Sequence, residues 1–418
     1  MHTLEIRLEG EFYDSYIYSG HLYLWTLDQR IISLDWDALV QSLEAQQADG
    51  LPLECAFRRS SLLYQSDIAH ILRDSEIQPV VLEKFNRLGQ QPFEVPAASW
   101  SAFITHENDN PVPFPHADIA VYLKQLFVCS AHGVWKGDLR TAKSRPMTNR
   151  ALEVLSDAPC FDIAFWNRIV AMASGSNGAF QMNVGDERGW LGISDEPEVL
   201  TTEHTQAVEW MYGSVFCSSD LGGVLLDYTP FREDDQGSRQ LRGTFAAGQL
   251  FGEAVDGRYT WGAKEKLCAA SQTSVAVTKY SHYAGEDEER LTDLGEFRFE
   301  RPLHSLPIKA DSSYFGYVLE TDDGLVILGS NGETRWIDGE PVNWRLFRTS
   351  IDYVNQLHVA WDDHLSILSF NDDYLVSQPD KRIGLSFWAG AGRRQQPRRQ
   401  QARSRGIGLR PRLHDEGG

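Results

Sequence analysis

GHLYLWTLDQRIISLDW, residues Gly20 to Trp36, reads as two short strands around a tight polar turn. Leu22 and Leu24 alternate with Tyr23 and Trp25, which puts one pair on each face of a strand because successive side chains point to opposite sides. Both faces are apolar, as a sheet packed between two others requires. Asp28-Gln29-Arg30 makes the turn, and Ile31, Ile32, Leu34 and Trp36 form a second run rich in β-branched and aromatic residues. Two such strands are not stable alone, so the pattern must have partners elsewhere in the chain.

It recurs six times: LFVCSAHGVW (Leu126 to Trp135), IVAMASGSNGAFQMNV (Ile169 to Val184), VFCSSDLGGVLLDY (Val215 to Tyr228), LCAASQTSVAVTKY (Leu267 to Tyr280), YVLETDDGLVILG (Tyr317 to Gly329) and LHVAWDDHLSILSF (Leu357 to Phe370). Taking the residue that ends each first strand gives Thr26, Ser130, Ser174, Ser218, Ser271, Thr321 and Asp362, at intervals of 104, 44, 44, 53, 50 and 41. Five of the six match the roughly 40 to 50 residues of a four-stranded propeller blade. The interval of 104 is one blade plus an insertion. A β-sandwich also supplies frequent hairpins, but not this near-constant unit.

On these repeats the chain resembles the β-propeller superfamily, WD40-like in repeat length, over roughly residues 2–388. Asp35-Trp36 approximates the Trp-Asp signature in reverse, and the Gly-His that accompanies it occurs once, at Gly20-His21 of the first hairpin, and in no other blade. The resemblance implies an all-β fold of about seven blades. Ring closure then calls for strands from both ends of the chain in one sheet, with His2 to Leu8 and Ile383 to Trp388 as the available candidates.

The domain reading is a propeller over 1–388, with a helical and loop insertion over about 37–118, and a disordered Arg/Gln-rich tail over 389–418. Asp37 is placed to cap a helix carrying Leu39, Val40 and Leu43, Ser66 precedes Ile68, Ile71 and Leu72, and Pro79 can start a helix through Phe85 to Gly89. Residues 90–118 read as loop, with a short strand available at Trp100 to Thr105. Because the insertion interrupts the repeat, we expect the fold not to need it and partners to contact it.

The 418 residues carry a net charge of −20, yet Ala389 to Gly418 holds eight Arg against Asp415 and Glu416. The rest of the chain is therefore more acidic than the total, which disfavours nucleic acid and anionic membranes as ligands over most of its surface. No apolar run approaches the roughly 18 residues of a spanning helix, and MHTLEIRLEGEF alternates like a strand, so the expectation is a soluble, cytoplasmic protein with no membrane contact. Cys55, Cys129, Cys160, Cys217 and Cys268 are odd in number and lack a paired C-x-x-C spacing, which points to core residues.

No linear motif carries chemistry. H-E-x-x-H, G-x-S-x-G and Walker A patterns are missing from the sequence, the Asp322-Asp323, Asp362-Asp363 and Asp372-Asp373 pairs read as turn residues, and Gly175 to Gly178 joins two strands where a phosphate cradle needs a helix. We therefore assign no catalytic residue, no metal ligand and no cofactor. Two basic features remain as candidate contacts. Lys136, Arg140, Lys143, Arg145 and Arg150 cluster for a protein partner or phosphate, and Arg393, Arg394, Arg398, Arg399, Arg403 and Arg405 form an anion-binding tail. The leading function is a non-enzymatic scaffold or sensor platform for other proteins. The alternatives are a hydrolase or lyase acting on a small polar or glycan substrate in the central channel, and a nucleic-acid-associated factor using the tail.

Overall fold

A computed structural model describes residues 2–47, 50–59, 71–72, 74–138, 152–185, 192–219, 222–230, 239–252, 258–285, 288–330, 332–350 and 352–371. Its strands form seven sheets in chain order, a seven-bladed β-propeller. Each copy of the hairpin supplies the two middle strands of a blade. In blade 1 these are His21–Thr26 and Arg30–Asp35, in blade 3 Ile169–Ala173 and Ala179–Asn183, and in blade 7 Gln356–Ala360 and His364–Phe370. They are the most apolar strands because both of their faces are covered by neighbouring blades; all of Ile169–Ala173 is buried. The inner strands are Phe12–Tyr18, Asp118–Tyr122, Asp162–Trp166, Ala207–Met211, Tyr259–Ala263, Lys309–Ser313 and Asn343–Leu346. They lie side by side around the ring from blade 2 to blade 7 and on to blade 1. Tyr16 of blade 1 completes the circle by accepting the Val121 N–H of blade 2 at 3.1 Å.

Closure differs from the expected pairing. Thr3–Glu9 is the expected N-terminal strand, but it runs antiparallel to His364–Phe370, from Thr3 opposite Phe370 to Glu9 opposite His364. Residues 343–370 provide only three strands of blade 7, so the first strand of the chain takes the outer place that the other blades fill locally. Ile383 to Trp388 lies outside the described residues, as does the tail with its six named arginines.

The inserted segment spans 36–103, because Ile104–Asp109 pairs with Arg30–Asp35 as the outer strand of blade 1. Helix α1 covers Trp36–Ala45, α2 Leu51–Phe57, α3 Gln78–Leu88 and α4 Ala97–Trp100, followed by a 3-10 turn at Ser101–Phe103. The α1 cap is Asp35, whose side chain accepts the Ala38 N–H at 3.0 Å. Asp37 is already helical, and its carboxylate instead accepts the Arg59 N–H at 3.1 Å. The Pro79 helix is present and stops at Gly89, while Ser66 and Ile68 lie outside the described residues. The stretch read as loop contains Phe93–Val95, a strand parallel to Thr3–Glu9, and Trp100 ends a helix where a strand was expected.

The insertion is part of the fold. Trp36, Val40, Leu53, Phe57 and Phe85 share one buried core with Leu4, Ile6 and Leu8 of the closing strand. At the end of α2 the Ala56 carbonyl accepts from Ser369 Oγ at 2.9 Å and from Gln356 Nε2 at 3.3 Å, and the Phe57 carbonyl accepts from Trp36 Nε1 at 2.8 Å. A segment expected to be dispensable thus clasps the seam between the first and last blades.

Strand direction sorts the connections onto two faces. Turns between the middle strands leave on one face with the links from each outer strand to the next blade. The links from the second middle strand to the outer strand leave on the other face. That second face carries the described parts of 36–103 and residues 184–185, 192–197, 229–230, 239–240, 281–285 and 288–290, and residue 371 leaves the last strand there too. We call it the insertion face. The five cysteines are buried thiols outside any disulfide, and among the described residues no helix is long and apolar enough to cross a membrane.

Candidate functional site

The inner strands bring together charges that lie far apart in sequence. Arg345, on the inner strand of blade 7, reaches Asp14 of blade 1 at 2.7 Å and Asp118 of blade 2 at 2.8 Å, and donates to the Ile119 carbonyl at 2.6 Å. Arg348, just past the same strand, meets Asp311 of blade 6 at 3.0 Å and Glu209 of blade 4 at 2.5 Å. Blades 7 and 4 are on opposite sides of the ring, so Arg348 spans the central channel. Side-chain exposures of 27% for Arg348 and 14% for Glu209 show a site wet enough to screen these pairs partly.

The surroundings shift the titration of this cluster. Burial alone would raise Asp14, but Arg345 and then the His116 ring, 3.1 Å away, outweigh it and hold the carboxyl far below the usual range. Asp162, at the start of the blade 3 inner strand, is pushed up to about 7, first by burial and then by Asp118. It accepts the Val208 N–H of blade 4 at 2.7 Å and makes no ion pair among the described residues. Burial pushes Glu209 up to about 8 against the pull of Arg348, with Asp311 and Asp162 adding repulsion. Lys309 is lowered by burial and by Arg345; its ammonium donates to Asn343 Oδ1 at 3.2 Å and to the Trp344 carbonyl at 3.0 Å.

The sequence-derived candidates fall elsewhere. Lys136 is half-buried on a middle strand of blade 2, opposite Glu153 of the outer strand. Arg140, Lys143, Arg145 and Arg150 lie outside the described residues, as do Arg393, Arg394, Arg398, Arg399, Arg403 and Arg405. Asp322-Asp323 and Asp362-Asp363 occupy hairpin turns, as does Gly175 to Gly178, where the Gly178 N–H donates to the Gly175 carbonyl. Among the described residues no group of His, Cys, Asp and Glu is arranged to hold a metal.

Sequence reasoning missed the channel cluster. One signal was available: Asp118 and Asp162 are 44 residues apart, the same interval as Ser130 and Ser174. The repeat therefore places them at equivalent points of blades 2 and 3.

A scan against protein-family models finds no match, and a search of curated proteins finds none either. Among solved structures, the chain is similar to the N-terminal domain of Nup159, at 9% identity and a TM-score of 0.44, over 86% of this chain and 90% of that one. A structure of an S. cerevisiae Dbp5 variant bound to Nup159, a Gle1 variant, IP6 and ADP matches at 8% identity and a TM-score of 0.46, again over 86% and 90%. The computationally designed Ika8 protein matches at 9% identity and a TM-score of 0.43, over 87% of this chain and 99% of that one.

Proposed function

We propose that this propeller is a non-enzymatic platform that docks other proteins, with the insertion face as its contact surface. One observation carries the reading: the topology gathers the inserted segment, the described ends of the links in blades 3, 4 and 5 and the exit of the last strand on the same face. A rigid ring that presents variable connections is suited to recognition, because a scaffold positions loops without paying to order them at each encounter. The insertion also exposes Ile77 and Val80, at 39% and 52%, on a segment whose other side is fixed to the seam.

The test compares two paired variants of the full chain by quantitative co-purification. Ile77→Asp with Val80→Asp alters the insertion, and Leu306→Asp with Ile308→Asp alters the link between blades 5 and 6 on the opposite face. Loss of the wild-type partners from the first pair alone supports the proposal; loss from the second pair alone overturns it.

A second reading, a hydrolase or lyase using a small polar or glycan substrate in the channel, is favoured by Asp162. Its raised titration keeps a proton available near neutral pH, as a general acid requires. Incubating a glycan panel with wild type and Asp162→Asn decides it. Product from wild type alone supports this reading, and product from neither removes it for those substrates.

A further inference from the structure

A second charged cluster sits on the insertion face between blades 4 and 5, away from the channel. Asp227, near the end of a blade 4 middle strand, is fully buried. Arg242 of blade 4 meets its Oδ1 at 2.5 Å, and Arg290 of blade 5 bonds its Oδ2. The Tyr280 hydroxyl donates to Oδ1, and Ser214 Oγ links Tyr280 at 2.8 Å with His282 Nδ1 at 3.1 Å. Burial, followed by Arg242, pushes His282 down to about 4, so the ring is neutral at physiological pH and supplies no charge.

Among the described residues that meet here the charges do not balance. Two guanidinium groups share one carboxylate, leaving one positive charge among these groups in a chain whose net charge is −20. Arg239 lies nearby but is committed: it donates to the Gly213 carbonyl at 2.7 Å and to Gln181, and it covers the Tyr228 ring. Hydrogen-bonding capacity remains unused in the cluster. His282 is 2% exposed with Nε2 unpartnered, and Arg242 Nε is buried without an acceptor. Buried polar groups of this kind are costly when they stay unpaired. Arg242 and Arg290 keep 16% and 24% side-chain exposure, so they are reachable from solvent. Beside them Tyr283 is 65% exposed and packs edge-on against His282 and Tyr212, an aromatic wall at the rim.

We propose that this cluster binds a carboxylate from an acidic segment of a partner protein, seated on the solvent-facing N–H groups of Arg242 and Arg290, with Tyr283 against the segment's backbone. Guanidinium groups suit planar carboxylates geometrically. A residual charge of one matches a single carboxylate, whereas a phosphate dianion would overcompensate it within an acidic protein. The proposal deepens the docking reading of this face and rests on it for the source of the segment.

The test titrates the full-length protein at low salt with an acetylated, amidated tetraglutamate peptide, and separately with inorganic phosphate, by calorimetry. Wild type is expected to bind the peptide and Arg290→Gln to bind it about tenfold more weakly, the scale of one charge-assisted contact. Arg298→Gln, a charge change elsewhere on blade 5, should leave binding unaltered. Equal weakening in both variants, no binding by wild type, or tighter binding of phosphate than of peptide overturns the proposal. If Arg290→Gln unfolds, Tyr283→Ala replaces it, since the Asp227 bonds do not involve that ring; weakened binding supports the site and unchanged binding refutes it. Failure of the docking-face reading would appear in the paired surface variants instead, so the two are separable.

Discussion

Blades 3 and 7 are built from the same hairpin, yet they are held together differently. The first middle strand of blade 3 is Ile-Val-Ala-Met-Ala, all buried and all apolar. Its equivalent in blade 7 is Gln-Leu-His-Val-Ala, equally buried, with Gln356 and His358 in the interior. Each polar group there has a directed partner. His358 Nδ1 pairs with Ser15 Oγ of blade 1 at 2.9 Å, Asn355 Nδ2 donates to Ser369 Oγ at 2.8 Å, and Ser366 Oγ donates to Glu5 Oε1 of the closing strand at 2.9 Å. Blade 3 meets neighbours that are adjacent in sequence, so its first middle strand relies on non-directional burial. Blade 7 must select a strand from the other end of the chain and a helix from the insertion. A slip of one residue would turn every closing side chain to the wrong face, and directed bonds exclude it.

The comparison can be broken most sharply at Trp36. Trp36→Ala removes a fully buried indole and its bond to the Phe57 carbonyl, and it should cost about 3–5 kcal/mol of stability in urea unfolding. Hydrogen exchange should accelerate in Thr3–Glu9 and His364–Phe370 before it does in Ile169–Ala173. An even acceleration around the ring would mean that the seam is not a separate unit. A smaller effect is expected from Ser369→Ala, which takes a donor from the Ala56 carbonyl and an acceptor from Asn355, at about 1–3 kcal/mol by the same measurement. A loss indistinguishable from zero would show that clasping by α2 is purely apolar.

The gentlest probe is pH, because blades 7 and 3 should respond with opposite signs. Burial, only partly offset by Asp14, lowers His358 from 6.5 to about 3. Between those values the unfolded chain carries a proton that the folded seam refuses. Stability from this group is therefore intact above 6.5 and declines as pH falls toward 3. Asp162 is raised from 3.8 to about 7, so over that window the folded state keeps a proton that the unfolded chain has lost, and stability declines as pH rises. His358→Asn should flatten the first dependence and Asp162→Asn the second, read as unfolding midpoints across the acid range. Slopes changing in the same direction would contradict the contrast.

The parts legible in sequence were those where burial acts on both faces of a strand. All seven hairpins are found because their apolar content is nearly continuous. Inner and outer strands were harder to read: Asp162–Trp166 starts on a carboxylate that bonds the next blade, and Leu291–Arg298 is mostly exposed, so neither shows a clean alternation. The α1 cap was displaced by two residues because Trp36, which resembles the end of a strand, is a buried helical residue whose indole nitrogen reaches α2. Phe93–Val95 is too short to signal itself and exists because a strand edge is there to be covered. The channel cluster depends on which residues meet across a ring. Arg348 and Glu209 are unrelated in sequence, and only the closed circle brings them to 2.5 Å.

The parallel strand Phe93–Val95 also bears on how the chain is made. Thr3–Glu9 leaves the ribosome before the other described strands, and its antiparallel partner His364–Phe370 is translated last among them. At about 5–20 residues per second the wait between residues 95 and 370 is roughly 15–55 s, with a hydrogen-bonding edge otherwise open to wrong partners. Phe93–Val95 pairs residues 6–8 along the other edge, and Phe85 of α3 shares a buried core with Leu4, Ile6 and Leu8. The insertion thus gives the nascent Thr3–Glu9 strand a native neighbour less than a hundred residues further along the chain, holding it in place until translation delivers the blade it will close.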